Sequence, residues 1–135
     1  MKEEEKELLL KDLCARLPYG VMVKTSYNDA KLIGIIIRKG YTKGTEYIDA
    51  ITDKQTYPIR YIKPYLRSMS SMTEEERNEY FSVKMRETER VALAEIYRPE
   101  AISEIMDWLN SRHFDYIGLI EKGLAIEATN DIYKD

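Results

Sequence analysis

Leu32-Ile-Gly-Ile-Ile-Ile37 decides the fold. The run is unbroken and rich in isoleucine, whose β-branched side chain crowds a helix and suits a pleated sheet. A continuous apolar run, rather than an alternating one, predicts a strand buried on both faces. Gly34 within it predicts a bulge or bend. On the N-terminal side, Ser26, Asn28 and Asp29 form a turn cluster, and Val21 and Val23 alternate with Met22 and Lys24. On the C-terminal side, Lys39-Gly40 through Lys43-Gly44 reads as a loop and Glu46–Thr52 as a strand. Thr52-Asp-Lys-Gln55 is a turn, and Thr56–Ile62 is a further strand that Pro58 places at an edge or at its start. Short strands with turns roughly every ten residues predict a small barrel or strongly bent sheet over residues 20–67. The expectation is an SH3-like antiparallel barrel, because closure removes exposed edges.

Helices flank it. Residues 3–17 carry Glu3, Glu4, Glu5 and Glu7 where the helix dipole favours anions. Leu9, Leu10, Leu13, Cys14 and Leu17 follow at helical spacing, and Pro18 and Gly20 end the helix. On that stripe Cys14 reads as a small buried hydrophobe. Ser68–Met72 is a polar connector, and Thr73-x-x-Glu76 a capping box. The helix it opens has Phe81, Met85, Ala92 and Ile96 roughly on one side, and Arg86–Arg90 reads as a break or an exposed stretch. Pro99 starts a helix whose Ile102, Ile105, Met106 and Leu109 form one face. Asp115 is placed to cap a short helix at 116–122, with Gly123 at its left-handed end and Leu124 meeting Leu119. Residues 129–135 read as frayed. The fold class is therefore α+β. Residues 1–19 form an N-terminal helix, 20–67 the barrel, and 68–135 a helical region packed on it as one unit.

The chain has 135 residues, 33% of them charged, and a net charge of −3. The charge is uneven: residues 18–67 carry net +5 with seven of the eleven tyrosines, and residues 68–135 carry net −7. The longest apolar run is too short to span a bilayer. The acidic start lacks the basic region of a secretory leader. A cytoplasmic protein with no membrane role is expected. Cys14 and His113, each the sole residue of its kind, exclude a disulfide framework, a multi-cysteine zinc site and a two-histidine metal site. No metal and no cofactor is expected.

No catalytic constellation emerges. Ser111, His113 and Asp115 lie too close in sequence to aim at one another as a triad. His113 reads as the end of a helix, where a cation or polar ring suits the dipole. Glu100, Glu104 and Asp107 share a solvated helical face, and Gly40-x-x-x-Gly44 lacks the ending of a phosphate loop. Tyr57-Pro-Ile-Arg-Tyr-Ile-Lys-Pro-Tyr-Leu-Arg67 interleaves aromatics with cations and holds no acid. Rings that stack bases beside charges that track phosphates are what single-stranded nucleic acid requires. The competing reading is that Ile59, Ile62 and Leu66 close the barrel while the tyrosines cover its rim.

Several stretches resemble segments of a family of small uncharacterised proteins from gut Bacteroides-type bacteria and their phages or prophages. They are Leu13-Cys-Ala-Arg-Leu-Pro-Tyr-Gly-Val21, Ile62-Lys-Pro-Tyr-Leu-Arg67 and Met69-Ser-Ser-Met-Thr-Glu-Glu-Glu76, then Trp108-Leu-Asn110, His113-Phe-Asp-Tyr116 and Gly118-Leu-Ile-Glu-Lys-Gly-Leu-Ala-Ile-Glu127. The resemblance implies a cytoplasmic setting and a phage or mobile-element origin. It brings no activity, cofactor or catalytic residue.

Two function classes follow. The first is a non-enzymatic accessory protein, a module that binds a protein partner through an exposed patch of Tyr61, Tyr65, Trp108 and Phe114. The second is nucleic-acid binding through Lys39, Lys43, Arg60, Tyr61, Lys63, Tyr65 and Arg67. The latter requires those cations to converge on one face. The sequence leaves the partner and the oligomeric state open.

Overall fold

The computed structural model describes residues 2–40, 46–94, 99–129 and 131–133, with backbone alone for 46, 87–94 and 99–103. Helix α1 (Glu3–Arg16) has three glutamates in its first turn and buries Leu9 and Leu13 completely. Cys14 is exposed, contrary to the expected apolar stripe. One residue beyond Leu13 turns a side chain about 100° around a helix. Asp12 and Arg16 are the buried neighbours instead.

A short 3-10 turn, Leu17–Tyr19, leads into β1 (Met22–Lys24), β2 (Asp29–Lys39), β3 (Glu46–Thr52) and β4 (Thr56–Pro58), an antiparallel meander. A second 3-10 turn, Ile59–Tyr61, precedes β5 (Lys63–Ser68), which returns to pair with β1. Then follow α2 (Glu74–Ala94), α3 (Pro99–Ser111), β6 (Phe114–Asp115) and β7 (Ile126–Glu127). Strands β6 and β7 are parallel neighbours of β5. The protein is thus α+β, with an N-terminal helix, further helices and an open mixed sheet in the order β4-β3-β2-β1-β5-β6. The sheet does not close as the expected barrel would: β4 and β6 stand at its two edges. Residues 68–135, expected to be helical, supply β6 and β7, and these occupy β5 where a closing strand would pair.

The bulge at Gly34 is present, as a register shift between Leu32 and Gly34 against β3. Pro58 lies on the edge strand β4. The isoleucine run, however, is not buried on both faces. Leu32 is inside, but Ile33 and Ile37 are more than half exposed and Ile35 and Ile36 half-buried. Ile33 follows buried Leu32 and so points to the opposite face, and β2 runs well past the end of three-residue β1.

Two cores form. The larger joins Leu9 and Leu13 to Val21, Val23, Leu32, Ile48, Ala50, Tyr57, Ile59, Ile62 and Leu66 of the sheet, and to Leu119 and Leu124. The smaller is Met72, Leu109 and Phe114, with Tyr80, Ile105 and Trp108 against it. The Thr73–Glu76 capping box is closed in both directions, at 3.0 and 3.1 Å. Along the described side chains of α2, Glu76 and Val83 are buried and Tyr80 half-buried. Phe81 and Met85, expected on the apolar side, are exposed. The backbone of α2 continues through 86–90 without a break; Ile96 and the side chain of Ala92 lie outside the described residues.

Residues 116–122 form turns rather than a helix. The Asp115 carboxylate nevertheless accepts the backbone N–H groups of Gly118, Leu119 and Ile120. The expected end motif is present: Gly123 has φ +75°, and Leu124 N–H donates to Leu119 O at 3.0 Å. Of residues 129–135, expected to be frayed, Tyr133 is anchored, while 130, 134 and 135 lie outside the described residues. The Tyr133 hydroxyl accepts from Met22 N–H and donates to Tyr65 O, and its ring stacks on His113.

Candidate nucleic-acid interface

Two turns of the same build lie at one end of the sheet. In each, a threonine Oγ1 accepts the backbone N–H groups two and three residues ahead and donates to the carbonyl three ahead. In the first, Thr25 does so with Tyr27 and Asn28. In the second, Thr52 does so with Lys54 and Gln55. Such hydroxyl-held turns are local and stiff. They sit side by side because Lys31 and Asp53 exchange hydrogen bonds, N–H of Lys31 to Asp53 Oδ1 and N–H of Asp53 to Lys31 O, both at 3.0 Å.

The third residue of each turn projects outward. Tyr27 is 82% exposed, its ring 6.4 Å from that of buried Tyr57. Lys54 Nζ donates to Asp29 O at 2.7 Å. Beside them the 3-10 turn presents Tyr61, half exposed, with the Arg60 guanidinium 4.8 Å from its ring centre. Lys63 pairs directly across the strands with Lys24, and both are exposed. Two like charges face to face across a sheet repel and destabilise it. Asp29 lies on the other side of Lys24, but its carboxylate accepts the Tyr65 hydroxyl at 2.7 Å. Burial, then that contact, pushes the Tyr65 hydroxyl up to about 12. This end of the sheet therefore carries two exposed tyrosines among Lys24, Lys54, Arg60 and Lys63.

Of the residues named from sequence for nucleic acid, Arg60, Tyr61 and Lys63 come together here, with half-buried Tyr65 anchored behind them. Lys39 lies at the far end of β2, and Lys43 is outside the described residues. Arg67 is committed elsewhere. It makes a two-pronged contact with Glu76, both bonds 2.6 Å, and lies over the Phe114 ring. Sequence reasoning missed Lys24 and Tyr27. The shared spacing of Thr25-x-x-Asn28 and Thr52-x-x-Gln55 would have found the two turns that present Tyr27 and Lys54.

The patch named for a protein partner is not assembled. Phe114 is fully buried, stacked on Trp108 with centroids 5.8 Å apart, so it offers no surface. The sequence expectation puts Phe114 on an exposed patch; β6 carries it inward beneath α3 instead. Half-buried Trp108 belongs to that inner cluster, and its indole N–H donates to Glu79.

Ser111, His113 and Asp115 do not converge as a triad either. Ser111 Oγ donates to Trp108 O, and Asp115 is occupied by its three N–H groups. His113, read as a cation or polar ring at a helix end, is disfavoured as a cation. Burial, then the Arg16 and Arg67 charges, lowers it to about 4. Among the described residues no cluster of metal-ligating side chains occurs, and no helix is long and apolar enough to cross a membrane. Set against known proteins, the chain matches no family model, no curated protein and no solved structure, so the geometry of its own residues carries the functional reading.

Proposed function

We propose that this is a non-enzymatic nucleic-acid-binding module, and that the sheet end bearing Tyr27, Tyr61, Lys24, Lys63 and Arg60 engages a single strand. The observation that carries the reading is the facing pair Lys24 and Lys63, with exposed Tyr61 lining the same cleft and exposed Tyr27 on the turn that follows Lys24. An anionic backbone lying between the two lysines relieves their repulsion. The flanking rings accept unstacked bases, each worth roughly 1–3 kcal/mol. The finer fold description, an SH3-like barrel opened at one side, belongs to the same proposal; it is supported by β1 pairing with both β2 and β5. A cytoplasmic, mobile-element accessory role completes it.

The test is fluorescence anisotropy with labelled oligo-dT, oligo-rU and a mixed-sequence duplex at two salt concentrations. Saturable single-strand binding that weakens with salt is expected. Lys24→Glu/Lys63→Glu should lower affinity at least tenfold, and a Lys39→Glu/Arg77→Glu control of equal charge change no more than about threefold, a range set by general electrostatics. No saturable binding at tens of micromolar, or equal losses in both double variants, overturns the proposal.

The second reading is the protein-binding module. It is favoured by Phe81 and Met85, four residues apart on α2 and both more than half exposed. Failure of every oligonucleotide would move it to first place.

A further inference from the structure

Strand β2 has eleven residues and its neighbour β1 three. Pairing with β1 covers β2 only over Asp29–Lys31, and the last bond on that side runs from Leu32 N–H to Val21 O. Beyond it, the chain leaves for the 3-10 turn at Leu17–Tyr19. The stretch from Gly34 to Lys39 pairs with β3 on one side and, among the described residues, has no strand on the other. Its residues are Gly34-Ile-Ile-Ile-Arg-Lys39, preceded by the exposed, bulged Ile33.

An open edge is a row of backbone donors and acceptors that only another strand satisfies in register. Natural edges are usually blunted by a proline or a charge near the middle. Here the centre is isoleucine, and the two cations lie together at one end. That arrangement selects its own partner. We propose that the open edge of β2 pairs antiparallel with the same edge of a second copy of this chain, about a two-fold axis at Ile36.

In that register Ile36 faces Ile36 of the second copy, Ile35 faces Ile37, Gly34 faces Arg38, and Ile33 faces Lys39. No cation faces a cation, and the paired arginines and lysines fall at opposite ends. The Arg38 charge is already met by Asp49 of its own chain at 3.8 Å. A parallel pair in register would instead set Arg38 and Lys39 beside their counterparts, at a cost. Exposed Ile37, which the isolated chain leaves in water, gains an isoleucine partner. The tyrosine and lysine ends lie away from the axis, so the pairing leaves them open.

Sedimentation velocity across about 5–500 μM tests this, with Ile36→Lys and Ile36→Glu as variants. Within one chain Ile36 is opposite Asp49, so the lysine is tolerated by its own fold. Across the axis each variant sets like charge against like. The wild type should pass from monomer to dimer over that range. Each variant alone should stay monomeric with an unchanged far-UV spectrum. An equimolar mixture of the two should recover the dimer, because lysine then faces glutamate. A wild type that is monomeric throughout overturns the proposal, as does a dimer that persists in Ile36→Lys. The wild-type measurement needs no variant, so a folding defect in either substitution does not touch its outcome.

Discussion

Replacing Arg67 with methionine separates its structural role from a binding role. The guanidinium holds both carboxylate oxygens of Glu76 at 2.6 Å, tying the end of β5 to the first turn of α2. That contact, foremost among its causes, lowers the Glu76 carboxyl from 4.5 to about 2, with the Thr73 backbone N–H assisting. A displacement of that size corresponds to about 3 kcal/mol in favour of the charged form. Part of it belongs to the capping box, which the substitution leaves in place, and the Arg67 side chain is a quarter exposed, so water screens the rest. The expected loss is about 2 kcal/mol at pH 7, or roughly 7 °C in Tm for a chain of this size. Methionine keeps an apolar side chain over the Phe114 ring, so the loss reports the charge rather than a cavity. The Glu76 carboxyl titrates lower in the folded than in the unfolded chain. Its stabilisation is therefore complete above about pH 4.5 and is lost as the pH falls toward about 2. Urea unfolding of both proteins from pH 7 to pH 2 should show a gap that narrows across that window. A variant within 0.5 kcal/mol of wild type at pH 7 (~0.5 being the usual range for surface substitutions), or a gap that stays constant in acid, refutes the reasoning.

Tyr133→Phe removes the hydroxyl that joins Met22 N–H to Tyr65 O; a loss of about 1–3 kcal/mol and faster hydrogen exchange at the Met22 amide are expected. Titration of the His113 ring by NMR should place its midpoint near 4, and stability should fall as the pH drops from about 6.5 toward it, because the unfolded chain takes up that proton first. His113→Gln should flatten that slope. Gly123→Ala meets no atom within 4 Å, yet holds φ at +75°, so it should cost about 1 kcal/mol by chemical denaturation, from backbone strain alone.

Local signals are legible in this sequence, and long-range ones are not. The capping box, the Gly34 bulge, Pro58 at an edge and the Gly123 end motif each depend on residues within a few positions of one another. The open sheet depends on which strand β5 meets on its far side, and nothing near Lys63–Ser68 announces β6 and β7. Phe114 and Cys14 mislead for a related reason. A helical stripe or an expected patch assigns one side of an element, whereas burial depends on what packs there. Arg67 looks like a surface cation because its partner Glu76 reads, on its own, as a capping residue. The candidate site is half legible: Arg60, Tyr61 and Lys63 share one stretch, but Lys24 and Tyr27 reach them only through strand pairing.

Arg16 sits on the first helix, yet one of its nitrogens donates to Phe114 O, 98 residues further on. It is fully buried with Asp12, whose carboxyl is raised by burial against the pull of Arg16. While the chain is being made, helix α1 emerges from the ribosome long before that carbonyl exists. Until then that nitrogen has no carbonyl to donate to, and Asp12, one turn away on the same helix, is the partner of the guanidinium. The final seating of Arg16 in the core therefore needs a carbonyl made long after its own helix, and late docking of α1 is the expected consequence.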